Sequence, residues 1–371
     1  MFRRQVPTLN RIEISRDAIL YNYQLLKKIS VSKNLIPVLK ANAYGHGIKQ
    51  ICEILKGTDV EMVAVDSFPE YQMVRDFSRF QVLLIGECHQ SVYENVDWNR
   101  TVAAVYTLET ARFLISLKKN IRVHLFLNTG MNREGIQLDV LASFLDEIQD
   151  KNLIVDGVMS HFANADIDDM GSLDEQVKIF KKAYYEILDR GWQPRMKHIS
   201  ASAGIAKLED SFFDTARTGI ALYGYNPLTS EDPFFEKLKL LKPALEVFST
   251  VVAVQKIKDG EGVSYGKRWK AQSDGLVATI PFGYYEGLSR HYSGKLFFGW
   301  ENIHLQQVGT ICMNLCSVDA GDVDIAVGDE IKIVSSDLNA INSLSRLSYA
   351  QDTIVYETLV KFNEKIRRLI T

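Results

Sequence analysis

The chain has 371 residues, 46% of them apolar and 24% charged, with a formal net charge of −3. This is the composition of an ordinary globular protein rather than a disordered or collagenous one, and the length points to two domains. The small net charge and scattered Lys and Arg residues exclude a general attraction to nucleic acid or to anionic membranes.

The start, Met1-Phe2-Arg3-Arg4-Gln5-Val6-Pro7-Thr8, carries two positive charges but no apolar run, so no secretory signal is expected. No apolar stretch reaches the roughly 18 residues that span a bilayer, and a cytoplasmic location is the expectation. From Arg11 to about Tyr225 short aliphatic runs alternate with segments of helical period, the pattern of βα units around a parallel sheet. Strands are predicted at Leu35 to Leu39, Met62 to Val65, Val82 to Ile85, Val102 to Tyr106, Val123 to Leu127, Val155 to Ser160, Met196 to Ile199 and Ile220 to Tyr223. Eight strands are what an α/β fold of the (β/α)₈ barrel type requires. Amphipathic helices are predicted between them, among them Ile48 to Leu55, Leu138 to Ile148 and Leu173 to Leu188.

After about Pro227 the character changes, which divides the chain into a barrel domain over 1–230 and a mostly β domain over 231–371. Val247 to Ile257, Leu276 to Ile280, Ile303 to Gln307 and Ile331 to Val334 read as strands, with tight turns at Asp259-Gly260, Gly321-Asp322 and Gly328-Asp329. Ser343 to Gln351 and Thr358 to Leu369 read as helices, and Lys365, Arg367 and Arg368 suit the C-terminus of the second. The four cysteines are expected to be reduced. Cys312 and Cys316 lack a second Cys or His pair at matching spacing, so they read as core and no metal is expected.

Chemistry gathers where predicted strands end. In Val38-Leu39-Lys40-Ala41-Asn42-Ala43-Tyr44-Gly45-His46-Gly47, a lysine stands where a strand gives way to a glycine-punctuated turn. Partial desolvation there favours the neutral amine that forms a Schiff base, which suggests pyridoxal 5'-phosphate. The alternative for this segment alone is a lysine snorkelling past a strand end. Arg133, His161, Ser202 and Arg217 also follow predicted strands, and the loops of a barrel collect its catalytic groups on that face. Ser202 with the Gly219-Ile220 backbone suits a phosphate; Ser202 as the N-cap of a helix over 203–208 is the plainer reading. His161 as a packed imidazole and Arg133 and Arg217 as ion-pair partners are likewise open at this point. Tyr265 sits in the glycine-flanked turn Gly262-Val263-Ser264-Tyr265-Gly266 and would act as a base where Arg217, through His161, stabilises its anion.

The Lys40 motif, Gly130-Met131-Asn132-Arg133, Ser160-His161-Phe162-Ala163, the run Arg217 to Gly224, Gly262 to Gly266, Pro281-Phe282-Gly283-Tyr284, Cys312-Met313 and Tyr356-Glu357 span nearly the whole chain. As an ordered set they resemble the alanine racemases, the fold-type III pyridoxal phosphate enzymes that interconvert L- and D-alanine. The resemblance implies a barrel followed by a β domain, in a homodimer whose sites each borrow Tyr265 and Met313 from the other copy. It implies an amino acid substrate and D-alanine destined for peptidoglycan. Lys40 would carry the cofactor, with Tyr44, Ser202, Gly219, Ile220 and Tyr356 on its phosphate and Arg217 facing its pyridine nitrogen. Tyr265 would serve L-alanine and Lys40 D-alanine. Arg133 would orient Tyr265 and, with Met313, hold the substrate, and His161 would link Tyr265 to Arg217. Asp166, Tyr284, Arg290 and Ile354 would line the entrance.

Several positions depart from the family pattern. Phe126 stands where many relatives carry a carbamylated lysine that orients the arginine, and a chloride or the amide of Asn128 is the expected substitute. Asn314 replaces an aspartate and Ala201 an asparagine. Thr310 replaces an entrance arginine, which would widen the entrance and extend the substrates to serine or a broader set. A fold-type III decarboxylase is the competing enzyme class, disfavoured by the missing glycine-rich phosphate loop and cysteine nucleophile. A non-catalytic cofactor carrier is disfavoured by the second domain with Tyr265.

Overall fold

The computed structural model describes residues 8–371; the expectation about a signal over Met1 to Pro7 lies outside them. The chain forms two units. Its first strand, β1 (Arg11–Ile14), belongs to the β unit. Eight parallel strands follow in the other unit, residues 19–43 and 51–242: β2 (Asn34–Pro37), β3 (Met62–Val65), β4 (Gln81–Leu84), β5 (Thr101–Val105), β6 (Ile121–Phe126), β7 (Leu153–Met159), β8 (Met196–His198) and β9 (Thr215–Thr218). Strands β3 to β8 pair in sequence order, and β2 pairs with β9. Val38 bridges to Ala64, which carries β2 to β3, and the Arg217 N–H donates to the Ser200 carbonyl at 3.1 Å, which carries β9 to the segment after β8. Every residue of β3 and β5 is buried, as parallel strands covered on both faces require.

Seven of the expected strands lie within two residues of their predicted ends. The eighth is a correction. Ile220–Tyr223 is a buried 3₁₀ turn closed by the left-handed Gly224, and the strand is β9 just before it. A four-residue apolar run between glycines carries no period that separates strand from helix, whereas the true strand contains the charged Arg217 and so lacked the aliphatic signature. The helix expected at Leu173 to Leu188 lies inside Met170–Asp189, with the Asp169 carboxylate accepting from the Ser172 N–H at 3.0 Å. Its buried stripe is Leu173, Gln176, Phe180, Ala183, Tyr184 and Ile187.

The β unit comprises residues 8–18, Tyr44–Gln50 and Pro243–Thr371. Its strands are β10 (Leu245–Thr250), β11 (Ala253–Ile257), β12 (Gly262–Val263), β13 (Trp269–Lys270), β14 (Gly275–Ile280), β15 (Phe297–Trp300), β16 (Ile303–Val308), β17 (Cys316–Gly321), β18 (Glu330–Val334) and β19 (Arg367–Ile370). Nine of the strands form one sheet in the order β11-β14-β17-β16-β15-β18-β10-β1-β19, with β1 antiparallel to β10 and parallel to β19. The single strand expected over Val247 to Ile257 is therefore two, β10 and β11, set at different places in the sheet. Their break falls where Val251 donates to the Asp329 carbonyl at 2.8 Å and Val252 to that of Thr279 at 2.9 Å.

The last predicted helix is also corrected: helix ends at Lys361, and Arg367 and Arg368 lie in β19. Charge alone suggested a helix terminus, but the Arg368 guanidinium is buried. It donates to the carbonyls of Gly45 (2.7 Å), Ile366 (2.9 Å), Glu364 (3.0 Å), Asn363 (3.2 Å) and Phe362 (3.4 Å). It thus satisfies the turn that follows the helix from inside the sheet. Among the described residues no helix is long and apolar enough to cross a membrane, no group of His, Cys, Asp and Glu could hold a metal, and the four cysteines are unpaired. Arg368→Met is expected to leave these buried carbonyls without donors and to cost about 3 kcal/mol. Urea unfolding checks it: the midpoint falls at unchanged slope, and an unaltered midpoint contradicts this account.

Candidate functional site

After β2, Leu39 is fully buried and its N–H donates to Ala64, so Lys40 emerges at the C-terminal end of the barrel strand. The next four residues, Ala41, Asn42, Ala43 and Tyr44, all have φ between 51° and 54°. Left-handed backbone costs roughly 1–2 kcal/mol per non-glycine residue, so the turn needs outside support. Glu70 Oε1 accepts from the Ala41 N–H at 2.6 Å, and the Leu39 carbonyl accepts from that of Ala43 at 2.7 Å. Strain of this kind collects at functional sites. The Lys40 ammonium lies half-buried, 3.8 Å from Asp66 Oδ1.

Arg217, in β9, is buried and pairs with no carboxylate among the described residues. Its Nη1 donates to His198 Nδ1 (2.6 Å), and its Nη2 to the Ser160 carbonyl (2.7 Å) and to His161 Nδ1 (3.0 Å). Guanidinium only donates, so both imidazoles accept at Nδ1 and carry their proton on Nε2. His198 Nε2 in turn meets His124 Nδ1 at 2.9 Å, which places the His124 proton on its Nε2 as well. Burial, reinforced by Arg217, pushes His161 down to about 3 and His198 below the usual histidine range. His124 is pushed down to about 4, again chiefly by burial. Burial and then repulsion from Arg133 push Arg217 down to about 10. Among the described residues nothing accepts from the Arg217 Nε–H. His124 fits only because residue 157 is glycine, since a Cβ there would stand 2.6 Å from the imidazole ring.

Ser202 is not an N-cap. It is the first residue of the helix Ser202–Lys207, and its buried Oγ accepts from the Gly219 N–H (3.1 Å) and the Ala221 N–H (3.2 Å). These two bonds hold the hydroxyl against the Gly219-Ile220 backbone at the start of the 3₁₀ turn and leave the Ser202 O–H to donate.

Arg133 lies in the loop after β6. The Asn128 side chain builds that loop: its oxygen accepts from the Gly130 and Asn132 N–H groups, at 3.1 and 3.0 Å, and its amide donates to Asn132 Oδ1 at 2.9 Å. The expectation that this amide positions Arg133 is therefore corrected. Arg133 instead makes a two-pronged bond to Glu134 (Nε to Oε2 2.6 Å, Nη2 to Oε1 2.5 Å). Phe126 packs in an apolar cluster with Ala104 and Met159, edge-on to Tyr106. Gln176, missed from sequence, donates to Thr129 Oγ1 and to the His161 carbonyl at 3.0 Å each and accepts from the Ala163 N–H at 2.9 Å. Its signal was an amide at a core position of an amphipathic helix. Asp166 is exposed in the loop after β7.

Within the β unit, the Tyr44 and Tyr356 rings lie 6.2 Å apart. Gly45 beside them has φ 79°, and a Cβ there would strike the Leu359 carbonyl at 2.4 Å. The Tyr265 turn contains the left-handed Ser264 and Gly266; Ser264 Oγ donates to the Thr310 carbonyl (2.7 Å) and Thr310 Oγ1 to the Tyr265 carbonyl (2.8 Å). Thr310 is buried on the single chain. Tyr265 is 69% exposed on the single chain and Met313 56%. Tyr284, Arg290 and Ile354 are exposed too. The buried Glu286, also missed from sequence, accepts from the Gly283 N–H (2.8 Å) and from Asn314 Nδ2 (2.9 Å). An aspartate at 314 would set two carboxylates together, a physical reason for the asparagine.

Residues 14–227 match the family model described as alanine racemase, N-terminal domain, and residues 244–370 the one described as alanine racemase, C-terminal domain. A protein of Clostridium kluyveri named alanine racemase is 30% identical across all of this chain and 95% of its own length. The solved alanine racemase of Clostridium difficile 630 is 26% identical with a TM-score of 0.91, over 99% of this chain and 97% of that one. The same protein in complex with cycloserine gives 0.89 over 99% and 96%.

The buried imidazoles make stability depend on pH. Unfolded histidine titrates near 6.5, so above that pH neither state takes up a proton and these groups leave stability unchanged. Below it the unfolded chain binds protons that the folded imidazoles refuse, and stability falls towards their folded values of about 4 and 3. His124 alone accounts for roughly 3 kcal/mol by pH 4. Urea unfolding at pH 7, 6 and 5 should show this decline, shallower by about one proton in His124→Gln; a flat profile in the unaltered protein contradicts it.

Proposed function

The chain belongs to the alanine racemase family, and from that premise we propose that it interconverts L- and D-alanine with pyridoxal 5'-phosphate, as a cytoplasmic homodimer supplying D-alanine for peptidoglycan. The observation that carries the reading is Arg217, a buried guanidinium that, among the described residues, has no counter-ion and no acceptor for its Nε–H. A pyridine nitrogen is the acceptor that suits it. The hydroxyl and amide cluster of Ser202, Gly219 and Ile220 suits the phosphate, and the family resemblance adds Tyr44 and Tyr356. Lys40 is the amine that would hold the aldehyde.

When bound, this cofactor supplies the electron sink that acidifies the Cα–H bond of an attached amino acid. Arg217 keeps its own proton, so it would offer the ring nitrogen a hydrogen bond without transferring a proton to it. Lys40 Nζ and Tyr265 Oη exchange the α-proton from opposite sides, Tyr265 serving L-alanine and Lys40 D-alanine. His161, fixed by Arg217 with its proton on Nε2, has that proton to donate to the phenolic oxygen. Arg133 holds the substrate carboxylate with Met313 beside it, and Asp166, Tyr284, Arg290 and Ile354 line the approach. Exposure of Tyr265 and Met313 on the single chain supports their delivery to a second copy. Cycloserine in the similar Clostridium difficile protein supports a small amino acid as ligand. The broader substrate range rests on Thr310 in place of an entrance arginine, which removes bulk and charge there, and side-by-side turnover decides it.

Turnover of L-alanine, L-serine and L-lysine in heavy water tests the reading. Alanine is expected to invert with deuterium at Cα and the others to lag far behind; carbon dioxide release, or no exchange, overturns it. Lys40→Ala is expected to abolish turnover together with the visible absorbance of the bound cofactor. Tyr265→Phe should lower kcat/KM about 10²- to 10⁴-fold in both directions equally, since the phenol takes the proton from L-alanine and returns it in the reverse reaction.

A further inference from the structure

Arg133 and Glu134 are sequence neighbours, yet they meet fork to fork across two bonds of 2.6 and 2.5 Å. Two of the five guanidinium N–H groups, Nε–H and one on Nη2, are taken by the carboxylate. The Nη1/Nη2 edge keeps three. Resting on the reading that Arg133 binds the substrate carboxylate, we propose that Glu134 is its positioning residue: it clamps one edge of the guanidinium and presents the other to the amino acid.

Three features of the loop carry this assignment. Its ends are closed by the bridge between Leu127 and Ile136, with the Ile136 N–H donating to the Phe126 carbonyl at 2.7 Å. Gly135 has φ 114° and passes so close to the Asn128 backbone that a Cβ would stand 2.5 Å from its nitrogen, so the backbone around the pair has one conformation available. Asn128 spends its side chain on the turn, and Phe126 is enclosed in apolar contacts, so neither supplies an anion to Arg133. The carboxylate that does is Glu134, whose side chain is 24% exposed against 54% for Arg133, so the anchor is the more enclosed partner. An unanchored arginine would sample many rotamers and lose that freedom on meeting substrate; the clamp removes the loss beforehand.

The test compares the unaltered holoenzyme with Glu134→Gln, which keeps the side-chain volume, and Glu134→Ala. Both variants should raise KM for L-alanine about tenfold with kcat little changed, and weaken acetate, a probe of the carboxylate subsite, about tenfold by calorimetry. Added chloride should lower the raised KM of Glu134→Ala by filling the vacated anion position, without lowering that of the unaltered enzyme. Unchanged KM and unchanged acetate affinity overturn the proposal, and so does a fall in kcat alone without rescue by chloride. An unaltered enzyme that fails to racemise alanine overturns the parent reading instead, and the acetate titration still decides the role of Glu134.

Discussion

Burying a guanidinium that cannot lose its proton demands acceptors, and the supply around Arg217 consists of neutral ones. Two imidazole nitrogens and the Ser160 carbonyl hold it without cancelling its charge. A carboxylate in their place would anchor the group equally well but would neutralise it and leave a different field at the base of the site. The choice propagates outward. Because arginine only donates, each contacting histidine is locked in one tautomer, a third histidine is ordered behind them, and a glycine in the neighbouring strand makes room for that ring. Burial and like charge keep all three imidazoles neutral, so the network holds a single net charge in a fixed place.

Within each unit, the residues to which we assign contact with small molecules sit on backbone held in few conformations. Lys40 opens a run of four left-handed residues supported by Glu70, and Arg133 sits in a loop closed by a β-bridge and braced by Asn128. Gln176 ties the Arg133 loop to the end of β7 that carries His161. Tyr265 is presented by a turn whose carbonyl is held by Thr310. In each case a polar side chain outside the proposed chemistry braces the backbone that carries a proposed participant, the arrangement a preorganised site needs.

Much of the architecture was legible because parallel strands buried on both faces leave aliphatic runs such as Met62–Val65, and amphipathic helices leave a stripe at spacings of three and four. The failures fall where backbone geometry or burial overrides the local pattern of residue types. Arg217 hid a strand, Arg368 passed for a helix terminus, and Gly224 closed a 3₁₀ turn that resembled a strand. The break between β10 and β11 was invisible because their residues pair with Asp329 and Thr279, far along the chain.

What the sequence by itself determined is the family and the reactive residue types, since motifs from Lys40 to Tyr356 appear in order and their chemistry is carried by side-chain identity. It also determined the alternation of strand and helix, which follows from local periodicity. The tertiary structure alone decided the tautomers of His124, His161 and His198, the carboxylate that Arg133 meets, the burial of Thr310 and the amide pairing of Asn314 with Glu286. These depend on side-chain direction, burial and contacts of about 3 Å that are set only in the folded chain, and a hydrogen bond at that range has no signature in composition or spacing.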